Sequence, residues 1–384
     1  MTEKLFYEDS HLSEFSARVV SCEPSKHGFE VVLDRTAFYP EGGGQPGDTG
    51  FLSGVRVTDT HEREGEVVHY CEAPLAVGAA VEGKLDYARR FEFMQLHSGE
   101  HILSGLIHQR FGYQNVGFHM GADFVTIDFD GMLSEQELSE LEAAANEVVW
   151  QNVPVQVDYP DAEALKTIPY RSKKALSGWV RIVTIPGADI CACCGTHVQS
   201  TGEIGLIKVF SCVKFHEGVR LEILCGRRAY QYLCAVNEQN SRVSALFSAK
   251  PRETAAAAAR VADELVALKF RAGKLEEQLF EKQAKDYAGA GDVLLFTEGL
   301  SPDGVRKLTA AIMEVCGGRA AVFSGSDRAG YAYALGKENG DLRALVAAMN
   351  KALNGRGGGK PFFAQGSVKA TGAEIEAFFR EAEA

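Results

Sequence analysis

RRFEFMQLHSGEHILSGLIHQRFG, residues 89–112, reads as one amphipathic helix closed by Gly112. Upstream, residues 1–88 carry short β-branched and aromatic runs broken by Gly and Pro, such as FSARVVSCEP, GFEVVLDRTAFYP and FLSGVRVTDTHEREGEVVHYCE. Their regular turn spacing predicts a small barrel or sandwich, and of the two a β-barrel is expected. Downstream, SEQELSELEAAANEVVWQN predicts a second helix, with Ser134 as N-cap and Glu137 in the capping-box position. It sits among strand runs such as FVTIDFDG, VPVQVDYP, WVRIVTIPG and VRLEILCG. Helices with a largely antiparallel sheet make residues 89–235 an α+β domain.

Residues 236–288 predict a helical linker. Val261, Leu265, Leu268, Ala272, Leu275 and Leu279 follow the alternating four- and three-residue steps of a heptad seam. That pattern serves either a short coiled coil or one amphipathic helix packed on its own chain, and Gly273 is a mild cost to both. Residues 289–384 alternate strand and helix runs as a small α/β domain. Within it, NGRGGGKPFFAQGS reads as a loop in which Gly357, Gly358 and Gly359 lie between Arg356 and Lys360. Backbone N–H groups beside two cations suit a phosphate, and a plain solvent loop fits equally well. In FYPEGGGQPGDTG, residues 38–50, Gly42, Gly43 and Gly44 cannot form a stable strand or helix. They imply a sharp turn or a close backbone approach.

The net charge of -12 excludes indiscriminate nucleic-acid binding and leaves room for a local basic patch. No run approaches the length of a membrane helix, and the acidic N-terminus lacks a signal-peptide core, so no membrane partner is expected. Cys191, Cys193 and Cys194 crowd together among 9 cysteines, which suits metal binding in a reducing compartment. The expected address is the cytoplasm.

HSGEH places His97 and His101 four residues apart, and CCGTH does the same for Cys193 and His197. On a helix that spacing puts both side chains on one face. Imidazole and thiolate together suit one zinc ion, or ferrous iron, and not magnesium or calcium. Cys191 and Cys194 compete with Cys193, whose offset to His197 mirrors the first pair. Glu100 completes H-x-x-E-H, the inverzincin peptidase signature, and falls about 60° from His97 on the helix wheel. It reads either as a general base for a metal-bound water or as a solvated charge. Four ligands mean a closed structural site, unless one is loosely held.

H-x-x-x-H followed by C-x-x-x-H resembles the zinc motif of the editing domain of alanyl-tRNA synthetases. The freestanding AlaX editing proteins and a threonyl-tRNA synthetase editing domain share it. TAFYPEGGGQPGDTG, CCGTHVQSTGEIG, GVRLEILCG and NGRGGGKPFFAQGS are similar to further segments of that family, in the same order and over nearly the whole chain. Cys194 stands where relatives carry Gly, and Glu100 is an added acid.

The β-rich segment begins almost at residue 1, and no ATP motif is present. The resemblance therefore implies a long AlaX-type trans-editing hydrolase and not a synthetase. It implies zinc-dependent cleavage of the ester in seryl-tRNA(Ala), and in some members glycyl-tRNA(Ala). Thr36 and Gln45 then line the reaction pocket, with Thr36 handling serine, and Gly42, Gly43 and Gly44 offer backbone N–H groups to an oxyanion. A site that bonds the serine hydroxyl can reject alanine by about 10⁴. Expected tRNA contacts are Arg356 to Lys360, with Arg89, Arg90, Arg171, Lys173, Lys174, Arg227 and Arg228 as further cations. The linker or the C-terminal domain is the expected surface for a homodimer.

Overall fold

The computed structural model describes residues 1–26, 28–172 and 180–382. Lys173 and Lys174 lie outside the described residues. The chain divides into two compact units, Met1–Ser241 and Arg242–Ala384.

In the first unit, Glu14–Ser25, Gly28–Leu33, Glu66–Cys71, Val55–Arg63, Gly50–Leu52 and Ala80–Leu85 pair in that order and close into a barrel. Ala80–Leu85 alternates exposed and buried residue by residue, as a strand with one face inward must. The interior is apolar, with Val19, Val31, Leu33, Phe38, Leu52 and Val57 at its centre. Glu3–Lys4 pairs in parallel with Arg35–Thr36 beside it.

Helix α1, Tyr87–Phe111, follows directly and ends on a left-handed Gly112 at φ 75°. It is not amphipathic at its centre, because every residue from Met94 to Gly105 is buried. Its polar stripe of His97, Ser98, Glu100, His101 and Ser104 faces the protein interior. Gly99 and Gly105 permit this enclosure. A Cβ on Gly99 would lie 2.3 Å from Cys225 Sγ, and one on Gly105 would lie 2.2 Å from the Ala188 carbonyl. Helix α2, Glu135–Gln151, has the expected capping box between Ser134 and Glu137.

Two antiparallel sheets complete this unit. One runs Ile207–Phe215, Gly218–Cys225, Val125–Phe129, Asn115–Met120, and the other Gln156–Asp158, Ile182–Ile185, Asp189–Ala192. Leu96, Leu103, Ile127, Leu141, Val149 and Leu221 bind α1, α2 and the larger sheet into one core.

The expected linker is two helices, Gly226–Leu246 and Thr254–Ala284, and the break falls at residues 247–253 around Pro251. In the second, Val261, Leu265, Leu268, Leu275 and Leu279 are 40–61% exposed among the described residues. Phe280 and Ala284 at its end are buried with Val305, Leu308 and Ile312 of helix Pro302–Cys316.

The second unit holds a mixed five-stranded sheet rather than a regular α/β alternation. Its order is Gly291–Thr297, Gly317–Ser326, Gly330–Gly336, Phe363–Val368, Arg356–Lys360, and only the first pair is parallel. Arg356–Lys360, expected as a loop, is the edge strand of this sheet. Its glycines are required by closeness. A Cβ on Gly357 would meet the Gln365 carbonyl and the Tyr333 hydroxyl at 2.4 Å, and one on Gly359 would meet the Phe363 carbonyl at 2.3 Å. Among the described residues no helix is long and apolar enough to cross a membrane.

Candidate metal centre

Helix α1 presents His97 and His101 one turn apart. The loop after Asp189–Ala192 carries Cys193 and His197 against them, so the ligand atoms of all four lie within 4.8 Å of one another. His97 Nε2 and His197 Nε2 are each 3.4 Å from Cys193 Sγ. A tetrahedral zinc with ordinary Zn–N and Zn–S bonds sets such N–S separations at about 3.6 Å. The donor set and its spacing fit zinc.

Each imidazole is held from behind. His97 Nδ1 donates to Gln45 Oε1 at 2.9 Å, and His101 Nδ1 donates to Asp189 Oδ2 at 2.9 Å. His197 Nδ1 lies 3.1 Å from Ser98 Oγ. With the proton on Nδ1, each Nε2 lone pair turns toward the cluster, as a ligating histidine requires. The supports are themselves fixed. Gln45 Nε2 donates to Thr196 Oγ1 at 2.8 Å, and Gln45 Oε1 accepts from the Thr196 N–H at 3.2 Å. Arg171 grips Asp189 with two bonds of 2.7 Å. Gly195 must be Gly, since a Cβ there would lie 2.0 Å from His97 Cε1.

Gln45 therefore bonds His97 and Thr196 and is not among the residues that line the cavity beside the cluster. Ser98 and Asp189 were not singled out in the sequence, and Arg171 was read there only as a cation for RNA. A carboxylate at Asp189, among the apolar residues of a buried strand, was the available signal, because it demands a partner.

Burial opposes ionisation of the Cys193 thiol, but His97 and His101 beside it hold it well below the usual thiol range. Burial likewise works against a charged His101, yet the Cys193 thiolate and the Asp189 bond raise it well above the usual histidine range. Burial, with His97 nearby, lowers His197 to about 3, so it is a neutral imidazole. The Cys193 thiolate and the neutral His197 are in the protonation state a cation needs, whereas the charged His101 would release a proton on binding one.

His97, His101 and Cys193 form part of the wall of a cavity of about 270 Å³, which Glu100, Arg171, Cys191, Cys194 and Gly43 also line. Glu100 is buried and is no solvated charge. Its Oε1 accepts from Ser104 Oγ at 2.6 Å and Asn115 Nδ2 at 2.5 Å, and its Oε2 lies 3.9 Å from His101 Nε2. Cys193 joins the three histidines, whereas Cys191 groups with His101 and Asp189, and Cys194 is exposed.

Other expected site residues fall elsewhere. Gly42 and Gln45 close a tight turn with reciprocal 3.0 Å backbone bonds, which commits the Gly42 N–H. Gly44, at φ 87°, packs so close to Phe118 that a Cβ would lie 2.6 Å from the ring. Gly43, at φ 61°, is the one of the three that reaches the cavity. Thr36 is fully buried beside the barrel, with Oγ1 2.8 Å from His69 Nε2 and accepting the Phe38 N–H at 3.1 Å. His69 Nδ1 donates to the Val31 carbonyl at 3.0 Å, so Nε2 accepts the Thr36 proton. Thr36 does not line the cavity, and its partner His69 was missed.

Several expected RNA cations are already used. Arg90 is buried, ion-paired with Asp48 and donating to the Ala37 carbonyl at 2.6 Å. Arg171 serves Asp189, and Arg228 bonds the Gly121 and Ala122 carbonyls. Arg356 and Lys360 are exposed.

Three family models match the chain. "tRNA synthetases class II (A)" covers residues 3–89, "Threonyl and Alanyl tRNA synthetase second additional domain" residues 180–220, and "DHHA1 domain" residues 290–384. The alanyl-tRNA editing protein AlaX-L of Pyrococcus horikoshii is 29% identical over 98% of this chain and 96% of its own. The alanyl-tRNA editing protein Aarsd1 of Mus musculus is 31% identical over 60% of each chain. The alanine–tRNA ligase of Natronomonas pharaonis is 33% identical over 95% of this chain, which spans only 42% of that ligase. With three domains matched in order and one editing protein followed along almost its whole length, the chain is similar to the alanyl-tRNA editing proteins of the AlaX type, and over most of its length to part of an alanine–tRNA ligase.

Proposed function

We propose that this protein is a zinc-dependent hydrolase that deacylates mischarged tRNA(Ala), with seryl-tRNA(Ala) the principal substrate and glycyl-tRNA(Ala) the second. The observation that carries the reading is the cluster of three tethered imidazoles and one thiolate, of which His97, His101 and Cys193 line a cavity that also holds a buried carboxylate. His97, His101, Cys193 and His197 hold the metal, which when bound supplies a Lewis acid beside the ester. Gln45, Asp189 and Ser98 keep the imidazoles turned inward. Glu100, its Oε1 fixed by Ser104 and Asn115, takes the proton of the attacking water. Gly43 brings main chain to the cavity where the oxyanion develops. Thr36 acts on serine selectivity indirectly, from the wall that leads into the Gly42–Gln45 turn, since its hydroxyl already serves His69 and Phe38.

In the second unit, exposed Arg356 and Lys360 on a glycine-rich edge strand suit the tRNA backbone. The exposed seam from Val261 to Leu279 suits a second copy of the chain. The test is ester loss from seryl-, glycyl- and alanyl-tRNA(Ala) mixed with purified protein. The seryl ester should be lost while the alanyl ester survives. Equal survival of all three would remove the hydrolase reading.

A further inference from the structure

A second cavity, of about 240 Å³, lies against the metal cluster on the side of His197. Tyr7 and Tyr159 line it, and Tyr159 is 38% exposed. Arg181 also lines it, only 9% exposed, with its guanidinium 5.3 Å from the Tyr7 ring centre. Arg181 Nη1 donates to the Cys193 and Gly195 carbonyls at 2.8 and 3.0 Å, so this side chain also braces the metal loop. Its Nε is buried without a hydrogen-bond partner among the described residues. An unsatisfied buried guanidinium N–H is costly, and native structures keep such a group for a ligand or a water. Asp9 lines the same cavity, its Oδ1 held by the His11 N–H at 2.8 Å and Gln199 Nε2 at 3.2 Å.

We propose that this cavity binds the terminal adenine of the aminoacyl-tRNA, an inference that rests on the deacylase reading. The aminoacyl ester sits on the ribose of the 3′-terminal adenosine, so that base must lie one sugar away from the reacting carbonyl. His197 belongs to both the cluster and this cavity. Cys194 lines the reaction cavity, and Tyr7 lines this one. The two spaces therefore flank the same loop, with Cys193 and Cys194 lining one and His197 the other. The chemistry selects a base over a phosphate, because Glu8 and Asp9 in the lining repel an anion. It selects an aminated base, because adenine offers a ring-nitrogen acceptor to Arg181 Nε and an amino donor to a carboxylate. Tyrosine rings supply the stacking that unpaired bases seek.

The experiment is calorimetric titration of the full-length protein with the trinucleotides CpCpA and CpCpU. Wild type should prefer CpCpA by about tenfold, the scale of one well-matched base edge. Tyr159→Ala should weaken CpCpA about tenfold through lost stacking. Asp9→Ala should abolish the preference for adenine over uracil. Equal affinity for the two trinucleotides in wild type, including no binding of either at millimolar concentration, overturns the proposal without needing any variant to fold. So does CpCpA affinity that both variants leave unchanged. Ester hydrolysis without a base preference removes this site alone. A base preference in a protein that spares seryl-tRNA(Ala) keeps the nucleobase site and removes the deacylase reading.

Discussion

Replacing Gln45 by Leu removes the oxygen that fixes the His97 tautomer while keeping the side-chain volume. His97 Nδ1 loses its 2.9 Å acceptor, and the Thr196 N–H loses its 3.2 Å acceptor. Loss of an outer-shell partner costs about 10–100-fold in metal affinity. That corresponds to about 1.4–2.7 kcal/mol. The orphaned Thr196 N–H is buried and adds about 1–3 kcal/mol of destabilisation to the metal-free protein. Gln45→Glu keeps an oxygen toward His97 and adds charge, so it should hold zinc at least as tightly as wild type. Competition against a zinc-responsive chelator reads the affinity, and urea unfolding of the metal-free protein reads the second cost. Wild-type zinc affinity in Gln45→Leu would refute the positioning role. If deacylation then fell with zinc retained, Gln45 would touch the substrate directly, as the sequence motif suggested.

Four further outcomes are expected. Gly195→Ala and Cys193→Ala should both lose bound zinc by elemental analysis, whereas Cys191→Ala and Cys194→Ala should retain it; equal loss in all four would mean the wrong thiolate. Glu100→Gln should keep its metal and lose about 10²–10⁴ in deacylation rate, and an undiminished rate would end its role as general base. Burial, against the opposing pull of its bond to Val31, holds His69 at about 4 in the fold, so between about pH 6.5 and 4 the unfolded chain binds the extra proton. Stability present above that window should fall by up to about 3 kcal/mol as the pH drops through it, and urea titrations of His69→Gln should show a flatter slope. Leu265→Glu with Leu268→Glu should shift the sedimentation coefficient toward a monomer, and no shift would clear the seam of that role.

The ligand pairs were legible because four-residue spacing on a helix and around CCGTH is a local signal. What steadies them was not, since Gln45, Ser98 and Asp189 meet their histidines through folding and not through spacing. The polar stripe on α1 misled for a physical reason. Periodicity distinguishes one face from another, but it cannot say that the polar face looks into a reaction cavity. Arg90 and Arg171 read as surface cations for RNA, yet a single guanidinium in sequence gives no warning of Asp48 or Asp189 across the fold. The run from Arg356 to Lys360 read as a loop because glycine is a poor strand former alone. Pairing with Phe363–Val368, where any Cβ on Gly357 or Gly359 would collide, reverses that preference.

The bond between Gln45 and Thr196 joins residues 151 apart in the chain. Contacts of such span close late, after the entropy of the intervening loop has been overcome. A ribosome extends the chain from the N-terminus, so the barrel and the two imidazoles of α1 emerge well before Cys193 and His197. A product halted between those points carries His97 and His101 without Cys193 or His197, with the His97 ring unsupported by the Thr196 loop. Interrupted synthesis therefore yields fragments without the complete cluster, which can assemble only when His197 has cleared the exit tunnel.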